Sequence, residues 1–169
     1  MKVRVLAVGT RQPRWVNDGF SEYVRRLPRG TGLALEAVAP APGAVGGRRG
    51  REAEATRLLR RIGVRERVVV LDSKGQALST ERFAAKLGEW RMDGRDVTLV
   101  IGGASGLGDA VLARADFTWS LSPLTFPHGL ARVMVAEQFY RASTILAGHP
   151  YHRGAGIVQG ERASKGARA

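Results

Sequence analysis

The sequence predicts an α/β fold, a mostly parallel sheet flanked by helices. Three observations predict it. Short apolar, β-branched runs alternate along the chain with segments whose apolar residues recur every three to four positions. Residues 67–71, RVVVL, are apolar without alternation, as a strand covered on both faces must be. Residues 97–111, VTLVIGGASGLGDAV, run from a strand through glycines into a helix, which is the turn of a βαβ unit.

Each element follows from local pattern. Residues 2–8 form a first apolar strand ending at Gly9. Trp15, Phe20, Tyr23, Val24 and Leu27 mark a helix that stops at Pro28. Leu33, Leu35 and Ala37 alternate, as on a second strand. Residues 41–50, APGAVGGRRG, read as a flexible basic loop. Ala55, Leu58, Leu59 and Ile62 then share one helix face. Residues 67–71 form the third strand. Ser79 or Thr80 caps a helix carrying Phe83, Leu87 and Trp90. Residues 97–101 are the fourth strand, 109–115 a short helix and 117–121 the fifth strand. The last helix spans residues 129–147, terminated by Gly148 and Pro150. The tail 153–169 is polar and basic, and is expected to be disordered. The organisation is one domain, 1–152, followed by that tail.

The 169 residues carry 27 Lys and Arg against 15 Asp and Glu, a formal charge of +12. Arg far outnumbers Lys, and its planar fork matches phosphate oxygens, so the balance points to a nucleic-acid partner. The absence of cysteine excludes a disulfide framework, a thiolate metal site and a cysteine nucleophile. It fits a reducing compartment. With no signal-peptide pattern and no long apolar stretch, a soluble cytoplasmic protein is expected, with no membrane partner.

In open α/β sheets, ligands bind beyond the carboxyl ends of the strands. Three loops are placed there: 71–75, 101–108 and 121–128. The glycine turn at 102–108 looks like that of a short-chain dehydrogenase, but it follows the fourth strand and not the first. Those enzymes also need Tyr with Lys four residues on. Here Tyr23 is followed at that spacing by Leu27, Tyr140 by Thr144 and Tyr151 by Ala155. A dehydrogenase is therefore excluded, and no P-loop motif is present. His128, His149 and His152 are the only histidines and lack metal-ligand spacing, so no metal is expected. Residues 120–128 form an apolar loop with two prolines, suited to holding a ligand. The helix after it is apolar around most of its circumference. Either it is central to the fold or one face meets a second chain; a homodimer is expected.

Seven motifs in order resemble one family: AVGT (7–10), FSEYVRRLP (20–28), WRMDGRDV (90–97), LVIGG (99–103), WSLSPLTFPH (119–128), RVMVAEQFYRA (132–142) and HPYH (149–152). The chain resembles the ribosomal RNA large subunit methyltransferase H family, SPOUT-fold enzymes that methylate N3 of a pseudouridine in 23S rRNA. The resemblance covers residues 1–152. It implies a C-terminal trefoil knot, which the general rule against knotted chains would have excluded. It also implies a homodimer, S-adenosylmethionine as methyl donor and 23S rRNA in assembled ribosomes as substrate. By match to the family motifs, Leu71, Gly102, Gly103, Leu121, Ser122, Pro123, Leu124, Thr125 and Phe126 line the donor site.

Two departures stand out. The family usually has GGPEG or GGAEG where this chain has Gly102-Gly103-Ala104-Ser105-Gly106, so Ser105 replaces a carboxylate. The tail 153–169 is an addition, either an RNA arm or inert. Methyl transfer needs in-line alignment and loss of the N3 proton. His128, Arg132, Arg141, Tyr151 and His152 are the candidate catalytic groups. Arg132 or Arg141 could instead pair with Glu137 across one helix turn. The alternative function is a non-enzymatic SPOUT-like RNA-binding protein, favoured if Ser105 has cost the chain its donor site.

Overall fold

The computed structural model describes residues 1–41 and 47–148. The elements, in order, are β1 (Val3–Val8), α1 (Arg14–Arg25), β2 (Ala34–Val38), α2 (Arg48–Leu59), β3 (Arg67–Ala77), α3 (Thr80–Asp93), β4 (Val97–Ile101), α4 (Asp109–Arg114), β5 (Phe117–Ser120) and α5 (His128–Leu146). The five strands form one sheet in the order β2-β1-β4-β3-β5, and every pairing is parallel.

Because successive side chains of a strand point to opposite faces, the apolar strands feed two cores. Val5, Val69 and Leu99 face one layer, where Phe20 of α1, Phe83 and Leu87 of α3, and Val135 and Phe139 of α5 cover them. Leu6, Val68, Val70 and Val100 face the other, under Ala55 and Leu58 of α2 and Val111 of α4. The continuous apolar run at the start of β3 is thus explained by burial on both sides.

Ser79 caps α3, its Oγ accepting from the Arg82 N–H at 3.2 Å. Gly148 closes α5 in a left-handed conformation, φ +68°. On the first layer, Phe83 stacks on Trp119 with ring centres 4.3 Å apart.

Several sequence expectations need correction. The basic segment 41–50 is not all loop, because α2 already begins at Arg48. On β2 the expected alternation fails: Val38 is buried and Ala37 exposed, as an edge strand with one neighbour allows. β3 does not stop at Leu71. Leu71 and Gln76 both align with Trp119, so residues 72–75 bulge outward and the strand resumes to Ala77. The bulge closes tightly, since a Cβ on Gly75 would stand 2.8 Å from the backbone of Thr118 and Trp119.

From β5, at the sheet edge, the chain runs back across the carboxyl ends of β3 and β4 and starts α5 beside β1. A buried arginine fixes that landing point: Arg132 Nη2 donates to the carbonyls of Val8 (2.8 Å) and Gly9 (2.7 Å). Helix α5 then lies between α1 and α3. From residue 128 to residue 145 no side chain is fully exposed. Its buried apolar positions, among them Val135, Ala136, Phe139 and Ala142, are covered by this single chain, while Leu130, Val133 and Met134 are only half-buried.

Candidate active site

The loops at the carboxyl ends of β3, β4 and β5 enclose a cavity of about 610 Å³. Leu71, Asp72 and Ser73 of the β3 bulge form one wall. Gly102, Gly103 and Ala104 form a second, and Leu121, Ser122, Leu124, Thr125 and Phe126 a third. Trp119 lies at the base, and His128, the first residue of α5, closes the end nearest β1.

Each wall is shaped by local chemistry. The chain turns between Gly103 and Gly106, with the Gly106 N–H donating to the Gly103 carbonyl at 3.0 Å. Gly106 has φ +81°, a conformation glycine adopts without steric cost. A Cβ on Gly102 would come within 2.8 Å of the Gly106 carbonyl carbon, so Gly102 is required by the turn's own packing. In the third wall, Ser120 Oγ donates to the Ser122 carbonyl and Ser122 Oγ accepts from the Leu124 N–H, both at 3.0 Å. These bonds hold Leu124 outward, 70% exposed at the cavity rim.

A second cavity, of about 500 Å³, adjoins the first. The two share Gly103, Ala104 and His128 as their common wall. The second is completed by Val8 to Gln12, Pro40, Ser105 and Glu54 of α2. Glu54 is 93% buried by its 7% exposure. The sequence reading missed it. The signal was present: Glu54 precedes Leu58 by one helical turn and adjoins Ala55, so it sits on the apolar face of α2.

The candidate catalytic residues separate. His128 is at the junction of the two cavities. Its imidazole pKa is lowered from the ordinary histidine value, first by burial and then by the Arg132 charge, with Glu54 opposing. Arg132 does not pair with Glu137. It is 1% exposed and spends its Nη2 on two backbone carbonyls, so it positions α5 and the end of β1. Arg141 instead makes the pair with Glu137. It lies about 20 Å along the helix from His128 and lines neither cavity of its own chain. Pro123 is exposed and outside the cavity wall. Tyr151, His152, His149 and the tail 153–169 lie outside the described residues. Among the described residues no cluster of three metal-ligating side chains occurs, and no helix is long and apolar enough to cross a membrane.

Known proteins share both the fold and the sequence. A family model described as "Predicted SPOUT methyltransferase" matches residues 1–152. A ribosomal RNA large subunit methyltransferase H from Chromohalobacter salexigens is 49% identical over 161 residues, spanning 90% of this chain and 100% of that protein. The protein of the same name from Pseudomonas aeruginosa is 46% identical over the same coverage. Among solved structures, a probable methylase family protein from Haemophilus influenzae superposes with a TM-score of 0.52 at 9% identity, covering 88% of this chain and 69% of that one. That last likeness concerns the fold. The extent and identity of the sequence matches establish that the chain belongs to the SPOUT methyltransferases, in the ribosomal RNA large subunit methyltransferase H family.

Proposed function

We propose that the chain transfers a methyl group from S-adenosylmethionine to N3 of a pseudouridine in 23S rRNA, acting on the ribosome in the cytoplasm as a homodimer. The observation that carries this reading is that the three strand-end loops meet around one cavity, in a chain that matches the whole length of rRNA methyltransferases.

The cavity suits such a donor. Leu71, Leu121, Leu124 and Phe126 offer apolar surface to a flat heterocycle, while Ser122, Thr125 and exposed backbone offer hydrogen bonds to its edge. Gly102 and Gly103 shape their wall of the cavity by close packing against the Gly106 backbone and Glu54. The donor, when bound, supplies a methyl already activated on a sulfonium. The chain must then orient the acceptor and take a proton from N3. A neutral imidazole does the second task, and burial keeps His128 neutral near pH 7. Arg132 serves by holding the first turn of α5, and so His128, against β1. Ser105 lines the second cavity and not the first, which supports a donor site that does not depend on the missing carboxylate.

The test is donor-dependent methylation of ribosomes followed by mass spectrometry of the nucleosides, beside calorimetry with S-adenosylmethionine. The expected product is N3-methylpseudouridine. Donor binding without methyl transfer to any ribosomal nucleoside would favour the RNA-binding alternative. Transfer to another position would overturn the substrate assignment.

A further inference from the structure

The second cavity contains a carboxylate that the fold does not need. Glu54 is buried on the apolar face of α2, yet among the described residues its one hydrogen bond is a long one, 3.4 Å from the Ala41 N–H to Oε1. Among those residues it forms no ion pair. Its oxygens press against the wall shared by the two cavities: a Cβ on Gly103 would stand 2.8 Å from Oε2 and 3.3 Å from Oε1. Glycine at 103 thus keeps the carboxylate at the junction. A buried carboxylate with a single long hydrogen bond costs stability unless a ligand supplies further donors.

We infer that the second cavity receives the target base and that Glu54 accepts a hydrogen bond from its N1–H, so selecting pseudouridine over uridine. The inference rests on the methyltransferase reading above. The first cavity is large enough for the donor and does not include Glu54, which leaves the carboxylate to the acceptor. The nucleobase chemistry fits. Pseudouridine is joined to ribose through carbon, so N1 keeps its hydrogen. N1–H and N3–H flank one carbonyl, and a base presenting N3 to the donor presents N1–H two ring positions away, on the far side of that carbonyl. Uridine turned the same way presents a C–H there, which cannot satisfy a carboxylate. An ionised carboxylate accepts and cannot donate, so it recognises an N–H specifically. Its place here is that of an acceptor, and His128 on the same wall is left to take the N3 proton. Arg11, exposed at the rim of the cavity, is placed for a flanking phosphate.

A site built to hydrogen-bond a substrate N–H discriminates strongly against the analogue lacking it. The experiment compares kcat/KM on ribosomes carrying pseudouridine or uridine at the target, for the full-length protein and two variants. Wild type is expected to prefer pseudouridine by roughly tenfold or more. Glu54→Leu, close in size and apolar among apolar neighbours, should fold at least as stably and lose the preference. Glu54→Gln retains an oxygen acceptor and should restore part of it. S-adenosylmethionine affinity by calorimetry should match wild type in both. The inference is overturned if Glu54→Leu keeps the preference, or lowers both substrates alike. It is also overturned if Glu54→Leu weakens donor binding tenfold, which would place the carboxylate on the donor. Wild type that binds donor but methylates neither ribosome would defeat the methyltransferase reading itself, a different result from all of these.

Discussion

His128 occupies a place where protonation state and position are set together. Burial, and then Arg132, favour the neutral ring, so its folded pKa lies below the ordinary 6.5. The linkage has a definite sign. The unfolded chain takes up the proton first as pH falls, so this residue's contribution to stability is complete above about 6.5 and declines below it. In the proposed role of base, the same shift keeps His128 available to lower pH. The acid limb of kcat/KM, which reports the free enzyme, should therefore fall below 6.5, and His128→Gln should remove that limb and slow turnover by about 10²–10⁴-fold. A pH–rate profile of the two proteins checks this, and an unchanged limb in the variant would assign the base elsewhere. The glycines make a second residue-scale case. At Gly102 the obstacle to a side chain is the Gly106 backbone, so Gly102→Val should displace the turn and abolish donor binding with sheet and helix content retained. Calorimetry beside circular dichroism reads both effects, and wild-type donor affinity would move the site elsewhere.

At the scale of elements, α5 is the part whose sequence is most easily misread. Its all-round apolarity left two accounts open, a central helix or one shared with a partner. The structure gives it α1 on one side and α3 on the other, which accounts for its buried positions and leaves Leu130 and Met134 half-buried. What aims the helix is Arg132, two carbonyl bonds from a buried side chain to the end of β1. Arg132→Met keeps the volume but frees both carbonyls, and should cost roughly 1–3 kcal/mol for each one left unpaired. Urea denaturation measures the loss, and a change below 1 kcal/mol would mean water replaces the guanidinium without penalty. Most elements were legible because one strong pattern dictated each: β-branched runs for β1, β3 and β4, a Ser cap for α3, a glycine stop for α5. The exceptions have tertiary causes. Residues 72–75 look like a loop because they bulge from the ladder, and only contact with β5 shows that the strand resumes. Arg48 and Arg49 look like loop because glycines precede them, although they open α2. That the loops after β3, β4 and β5 gather at one end of the sheet was legible from their place at strand ends, and they line the first cavity. The second cavity was not, because its walls come from β1, α2 and the glycine turn, which no local pattern links.

For the whole molecule, the charge of +12 is distributed unevenly in effect. Many arginines are committed to structure. Arg4 joins Glu36 and Glu66 at the amino ends of the strands, and Arg67 and Arg95 share Asp93. Glu66 and Asp116 are held below their ordinary carboxyl pKa. Burial opposes this in both, and is outweighed by Thr98 and Arg4 for Glu66, and by the Val68 N–H, Arg114 and Arg95 for Asp116. Their contribution is present above the ordinary carboxyl range and lost as pH falls through it. Arg25 and Arg26 both engage Glu22, so their net field on RNA is reduced. Arg11 has no ion pair among the described residues and stands at the mouth of the second cavity. Arg11→Ala should therefore weaken ribosome binding more than Arg25→Ala, and reduce the salt slope by about one. Equal effects of the two substitutions, measured by binding across a salt series, would remove Arg11 from the RNA path.

Assembly is the remaining question at this scale. Within one chain α5 is covered by α1 and α3 but not all round, so a dimer can use the face that the monomer leaves partly open. Trp15 on α1 is 56% exposed, and its neighbour Val16 reaches the first turn of α5 at Gly129. Leu130 and Met134, one turn apart on α5, are only half-buried. An exposed large aromatic on α1 and partly open aliphatic positions on α5, the helix that α1 packs against, are the composition of an interface core, not of a solvated helix face. We expect the protein to be a dimer by light scattering at micromolar concentration, and Trp15→Asp to shift it toward monomer while circular dichroism is preserved. Placing a carboxylate in a desolvated contact is costly, whereas on an open surface it is nearly neutral. A wild-type monomer would reject the dimer outright. A dimer indifferent to Trp15→Asp would move its interface away from the α1–α5 face.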